Sequence, residues 1–216
     1  EHLGELQLPL DGRTVLETGA GIGDLTGFFL DRGCRVTSIE GRPENIAVFR
    51  KDFDSLKNAD GWSGRLEILQ ADLNAPASLG VDPHEIFFSY GLLYHLAKPV
   101  DFLDWAVTMC TDFLLLETVV TFAERAIVEE MSEPLRATQA LDGRAVRPGR
   151  RFVFDGLKRR FPHVYMPVTQ PRHEQFPLDW TNPSAHAGLA RAVFIASKRA
   201  ISHPLLVEEM PMRQRC

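Results

Sequence analysis

Three glycines at every second position, Gly19, Gly21 and Gly23 in the stretch VLETGAGIGD, bring bare backbone to one point of the chain. An apolar, strand-like lead-in (Val15, Leu16) precedes them and a helix-like pattern follows, the context of a ligand held at a helix N-terminus. The spacing is G-x-G-x-G, and Asp24 stands where a dinucleotide site places its third glycine. A carboxylate there would oppose a pyrophosphate, and no G-K-[ST] follows to make a P-loop. A ligand without phosphate is therefore expected. Glu40, at the end of VTSIE and 21 residues after Gly19, can accept both hydroxyls of a ribose. Asp72, in LQADL with Leu73 beside it, can accept from an exocyclic amine such as that of adenine. Glu17 is placed to meet a cationic amino-acid head, directly or through water. Ribose, adenine and an amino-acid head without phosphate together describe S-adenosylmethionine.

The elements that must position these groups follow from apolar periodicity. A short leading helix is predicted at 2–8, strands at RTVLET, RVTSIE, RLEILQAD, EIFFSY and DFLLLET, and helices at 23–32, 43–56 and 99–110. Residues 122–131 read as helix, 132–150 show no clear period, and RFVFDGLKRRF reads as helix. HVYMPVT and RAVFIASK read as two late strands without a good helix between them. Alternating strands and helices predict an α/β fold with a Rossmann-like, doubly wound, mostly parallel seven-stranded sheet whose last strand is antiparallel. One domain over 1–216 is expected, with 118–155, too long for a tight connection, as a small cap insertion over the substrate.

Four segments in order, VLETGAGIGD, SIEGRPEN, LQADL and FSYGLLYHLAKP, each at a strand end, resemble class I S-adenosylmethionine-dependent methyltransferases over about residues 10–200. The resemblance implies S-adenosylmethionine as cofactor, with Tyr90 at the end of the fourth strand as part of its wall. The GLLYHL segment is also similar to that of enzymes that carboxymethylate wobble uridine in tRNA.

Methyl transfer is a direct displacement, so the protein must align nucleophile, methyl carbon and sulfur, and remove a proton from a hydroxyl nucleophile. Residues just beyond the fourth and fifth strands face the reacting centre. His95 is a candidate base because its unperturbed pKa is near neutral, and Tyr94 a candidate pocket wall. Glu117 ends an apolar strand, where a carboxylate binds a substrate hydroxyl or a divalent cation such as Mg2+. Ser89 and Tyr90 stand where metal-dependent relatives carry a second acid, so a metal would need other ligands, such as His173 and Glu174. The loop QPRHEQFPLDW offers His173, Glu174 and Trp180 to a sugar ring, by hydrogen bonds and by stacking on its C–H face. Gln139 and Arg144, within the cap, are further candidates for substrate contact.

Composition bounds the partners. The 216 residues are 44% hydrophobic and 25% charged with a net charge of −5, which disfavours a dedicated nucleic-acid binder. Seven basic residues between Arg144 and Arg160 do not form one helical stripe and have no interleaved aromatics at 144–151, so a solvated face is expected. Three scattered cysteines without a C-x-x-C fit a reducing, cytoplasmic setting. No apolar run is long enough to span a membrane, and the first ten residues lack the pattern of a secretory signal. The expected activity is O-methylation of a small polar acceptor, a saccharide, with a homodimer admissible. The alternatives are an RNA-modifying methyltransferase and a non-catalytic S-adenosylmethionine-binding module.

Overall fold

The computed structural model of the protein describes residues 2–56, 61–123, 125–136 and 138–216. In chain order the elements are α1 (His2–Glu5), β1 (Thr14–Thr18), α2 (Thr26–Leu30), β2 (Arg35–Glu40), α3 (Pro43–Leu56), β3 (Leu66–Gln70), β4 (His84–Tyr90), α4 (Pro99–Met109), β5 (Cys110–Val120), β6 (Val128–Ser132), β7 (Arg144–Pro148), α5 (Arg150–Lys158), β8 (His163–Pro167), β9 (Ala190–Ser197) and β10 (Leu206–Val207). The main sheet has the order β10-β8-β9-β5-β4-β1-β2-β3. β1 pairs in parallel with β2 and β4, β2 with β3, and β4 with β5. β9 runs antiparallel between β5 and β8. The expected seven strands are present, with the last antiparallel, and a two-residue eighth strand extends the edge at β8.

The central strands read as continuous apolar runs because both their faces are covered. All of β5 except Thr111 is buried, and one apolar cluster lies on each side of the sheet. One is built around Phe87, Phe102 and Phe194; the other holds Phe29, Phe88 and Ile195. The strand order reverses between β1 and β4, the switch point at which doubly wound sheets bind ligands beyond the strands' carboxyl ends.

Two expectations change. The helix expected at 122–131 is absent: Val128–Ser132 forms a hairpin with Arg144–Pro148. Helix-favouring Glu129, Glu130 and Met131 are pulled into extended backbone by cross-strand pairing, with Glu129 directly opposite Arg147. Glu124 and Ala137 of this segment lie outside the described residues. The helix expected over 23–32 contracts to Thr26–Leu30, because Gly19, Gly21 and Gly23 all adopt positive φ and shape a turn that continues to its start.

Gly23 is a packing glycine as well. Its φ is +90°, and an added Cβ would lie 2.3 Å from Cε2 of Phe49 on α3. Gly23→Ala is expected to destabilise the fold by about 2–3 kcal/mol through backbone strain and overpacking. That corresponds to a fall in Tm of roughly 4–12 °C for a chain of this size, read by a thermal melt. An unchanged Tm would mean that the Phe49 ring yields freely.

Candidate active site

Two cavities open at the carboxyl end of the sheet and share Asp24. The first, of about 330 Å³, lies over the glycine turn and is lined by Gly19, Gly21, Glu40 and Asn74, together with Tyr94 and His95. Gly19 donates to the Ile39 carbonyl, which draws the turn against the end of β2. Glu40 then ties the floor together. One oxygen accepts from the Gly21 amide at 2.9 Å; the other accepts from the Arg42 amide at 2.9 Å and Asn45 Nδ2 at 3.2 Å.

The remaining expected cofactor residues divide. Leu73 lines the first cavity. Asp72 does not: it is exposed, and its Oδ1 accepts from the backbone and side-chain nitrogens of Asn74, closing an Asx turn. Gly23 lies behind the turn, against Phe49. Glu17 sits buried beneath the glycines rather than on the cavity wall, with one oxygen accepting from Thr26 and Ser38 at 2.6 Å each. Tyr90 lines the second cavity, not the first.

Burial pushes the Glu17 carboxyl up to about 7, against the pull of Ser38 and Thr26. Between its ordinary value and 7 the unfolded chain gives up this proton and the folded chain keeps it. Stability is therefore lost as pH rises through that window and stays reduced above it. Glu17→Gln, which can still accept both hydroxyls, is expected to raise Tm at pH 8 by several degrees and to change it little at pH 4.5. Equal gains at both pH values would sink the titration account.

His95 is where the hairpin meets the cavity. Its Nδ1 lies 2.5 Å from Glu133, which directly follows β6. Glu133 also accepts from the Ala140 amide at 3.0 Å and from Arg147 at 3.2 Å. Burial opposes the Glu133 charge, but Ala140, His95 and Arg147 outweigh it and hold the carboxyl below its usual range. His95 lies below its own ordinary value, lowered by burial against the pull of Glu133. The consistent assignment is an ionised Glu133 and a neutral His95 with its proton on Nδ1, leaving Nε2 as an acceptor. Arg42 fastens the same segment from below, donating to the carbonyls of Gln139 and Ala140 at 3.0 Å. Gln139 lines the first cavity.

The second cavity, of about 570 Å³, is lined by Tyr90, Glu117, Arg191, His173 and Gln175, with an apolar side that includes Phe28 and Phe88. Arg191 joins the two cavities. Its Nη1 donates to both oxygens of Glu117 at 3.0 Å, its Nη2 to Tyr94 at 2.9 Å, and its Nε to Gln175 at 2.7 Å. Burial works against this cation, but Glu117 and Tyr94 outweigh it and hold the guanidinium above its ordinary value. Glu117 is thus held as the ion-pair partner of Arg191. Among the described residues, no group of three or more His, Cys, Asp or Glu side chains is arranged to hold a metal ion. The expected Mg2+ at Glu117 draws no support from this arrangement.

Three expected substrate residues lie elsewhere. Trp180 is buried, donates to Gln214 at 2.7 Å and stacks under the Arg150 guanidinium. Arg144 points outward and pairs with Asp142. Glu174 is exposed and lines neither cavity, whereas its neighbour His173 lines the second. Sequence reasoning missed Glu133, Arg147 and Arg191. Arg191 had a signal: with β9 antiparallel to β5, it lies diagonally across from Glu117 on the same face. Glu133 had none, because it depends on the unforeseen hairpin.

No family model matches the chain. It is 28% identical over 137 residues to the ribosomal RNA small subunit methyltransferase A of Anaeromyxobacter sp. (strain K). The match covers 62% of this chain and 46% of that protein, so this chain spans less than half the length of its curated relative. Among solved structures, the N-terminal domain of EvdMO1 in the presence of SAH and D-fucose superposes with a TM-score of 0.65. The two are 20% identical, with 86% of this chain and 76% of that one covered. A putative S-adenosylmethionine dependent methyltransferase from Listeria monocytogenes gives 0.63 at 11% identity, covering 92% and 97%. The chain has the Rossmann-like fold of the class I methyltransferases. No helix among the described residues is long and apolar enough to cross a membrane.

Proposed function

We propose that this chain binds S-adenosylmethionine in the first cavity and transfers its methyl group to a hydroxyl of a small polar acceptor, a saccharide, held in the second. The observation that carries the reading is the convergence of the phosphate-free glycine turn, Glu40 and the Glu133-backed His95 on one cavity. The sulfonium is already a good leaving group, so the chain's work is alignment and proton removal. His95 takes the acceptor proton at Nε2, while Glu133 fixes the tautomer and stabilises the imidazolium that forms. Tyr94, its ring centroid 3.9 Å from that of His95 and its hydroxyl bonded to Arg191, forms the seam between cofactor and acceptor. The hairpin segment closes the first cavity and serves as the cap. The saccharide assignment draws support from the polar and aromatic lining of the second cavity and from the likeness to the N-terminal domain of EvdMO1, whose structure was determined in the presence of D-fucose.

One observation favours a second reading, RNA methylation: the ribosomal RNA methyltransferase relative. Against it, the basic cluster is largely neutralised or buried. Arg144, Arg147, Arg151 and Arg160 pair with Asp142, Glu133, Asp155 and Asp104, and Arg150 is buried. The deciding experiment offers radiolabelled S-adenosylmethionine with a saccharide panel and with bulk tRNA and rRNA, each in magnesium or EDTA. Label is expected in a saccharide, with a rate that EDTA leaves unchanged. Label in RNA alone would overturn the acceptor assignment, and loss of activity in EDTA would restore the metal. Cofactor binding with no label in any acceptor would identify a binding module.

A further inference from the structure

We infer that the Tyr90 hydroxyl is the donor by which the second cavity selects a neutral, oxygen-bearing acceptor over an anionic one. This rests on the second cavity being the acceptor site of the proposed methyltransferase. Tyr90 ends β4 and lines that cavity, its ring against Phe88 with centroids 4.5 Å apart. Its hydroxyl is buried and, among the described residues, has no hydrogen-bond partner. A buried hydroxyl left unpaired is costly, so such groups in folded proteins are nearly always satisfied. Glu117, whose charge bears on the phenol, is turned to Arg191 and makes no hydrogen bond to the Tyr90 hydroxyl. Burial, and then the Glu117 charge, keep the phenol protonated, so it offers a donor.

The surrounding charges set what it donates to. Arg191 is the sole lysine or arginine among the described residues of the cavity wall, and each of its three nitrogens is already engaged, on Glu117, Tyr94 and Gln175. Asp24 adds a further carboxylate to the lining. Burial disfavours the charged form of His2, whose Nε2 is engaged with Thr169 at 3.0 Å. Beyond the Glu117–Arg191 ion pair, an acceptor carrying a carboxylate or phosphate would meet the Asp24 carboxylate, with no unpaired lysine or arginine among the described residues of the wall to offset it. An acceptor with hydroxyl or ether oxygens along one side and an apolar edge would satisfy Tyr90 and lie against Phe28, Phe88 and Phe176. A site built to hydrogen-bond a substrate oxygen discriminates strongly, because its own polar group is stranded by the wrong ligand.

The test uses the full chain loaded with SAH and two pyranoses of the same ring stereochemistry. D-Fucose carries a methyl group where D-galacturonate carries a carboxylate. Calorimetry first gives the SAH dissociation constant for wild type and Tyr90→Phe; ligand-observed NMR then gives sugar affinities. D-Fucose is expected to bind at least about tenfold more tightly than D-galacturonate, and Tyr90→Phe to weaken D-fucose about tenfold with SAH affinity unchanged. D-Galacturonate binding as well as D-fucose, binding of neither sugar, or D-fucose binding unaltered in Tyr90→Phe would each overturn the inference while leaving the cofactor reading standing. Failure of SAH to bind would overturn both, and calorimetry shows that before any sugar is added.

Discussion

Replacing His95 by Gln is expected to lower kcat by about 10²–10⁴-fold while the dissociation constant for S-adenosylmethionine moves by no more than a few fold. The asymmetry follows from where the imidazole stands. It lines the same cavity as the glycine turn, with Nδ1 committed to Glu133 and no partner at Nε2 among the described residues. On the proposed reading the cofactor's grip comes from the turn and Glu40, so His95 should matter to proton removal and little to binding. The pH profile supplies the readout that a packing role would not move. His95 lies below its ordinary value because of burial, with Glu133 pulling it back. The wild-type rate should therefore rise with pH through an apparent pKa below about 6.5 and be flat at neutrality. In His95→Gln that acidic limb should vanish. In Glu133→Gln the upward pull is lost, so the limb should shift to lower pH and the plateau should fall with the weaker base. A wild-type rate in His95→Gln, with the loss appearing in His173→Gln instead, would move the base to the second cavity's wall.

The sheet was legible in the sequence because buried parallel strands between helices announce themselves as short apolar runs, and each of VLET, VTSIE and FLLLE maps onto a strand. The glycine turn was legible for a local reason: only glycine takes three positive φ values at alternate positions cheaply. What failed was long-range. Asp72 and Trp180 had the right chemistry, but Asn74 turns one into a local cap and Gln214 draws the other into the fold. Glu117 looked like a ligand because a lone carboxylate on an apolar strand needs a partner. The need was real, and a guanidinium 74 positions away in the chain meets it. The hairpin carrying Glu133 was hidden because its residues favour helix, and strand pairing with residues 144–148 overrides them.

Glu40→Ala is expected to weaken S-adenosylmethionine binding about ten- to hundredfold, measured by calorimetry. A carboxylate has about four acceptor positions, and Glu40 already uses three, on the Gly21 amide, the Arg42 amide and Asn45. One remains for a ribose hydroxyl, so accepting both hydroxyls requires Asn45 to turn aside or a bond to be shared. The variant therefore loses two things. A charged hydrogen bond to the ligand is worth about 1.5–3 kcal/mol, which converts to the stated range at 1.4 kcal/mol per tenfold. The Gly21 amide also loses the acceptor that fixes the glycine turn, so the cavity floor is less well formed before binding. Asn45→Ala separates these contributions: it frees an acceptor position on Glu40 without touching Gly21, and should leave affinity within a few fold of wild type. Glu40→Gln, which keeps an acceptor but no charge, should fall between the two. An unchanged affinity in Glu40→Ala would mean that the nucleoside does not lie at the end of β2, and the cofactor assignment of the first cavity would fall with it.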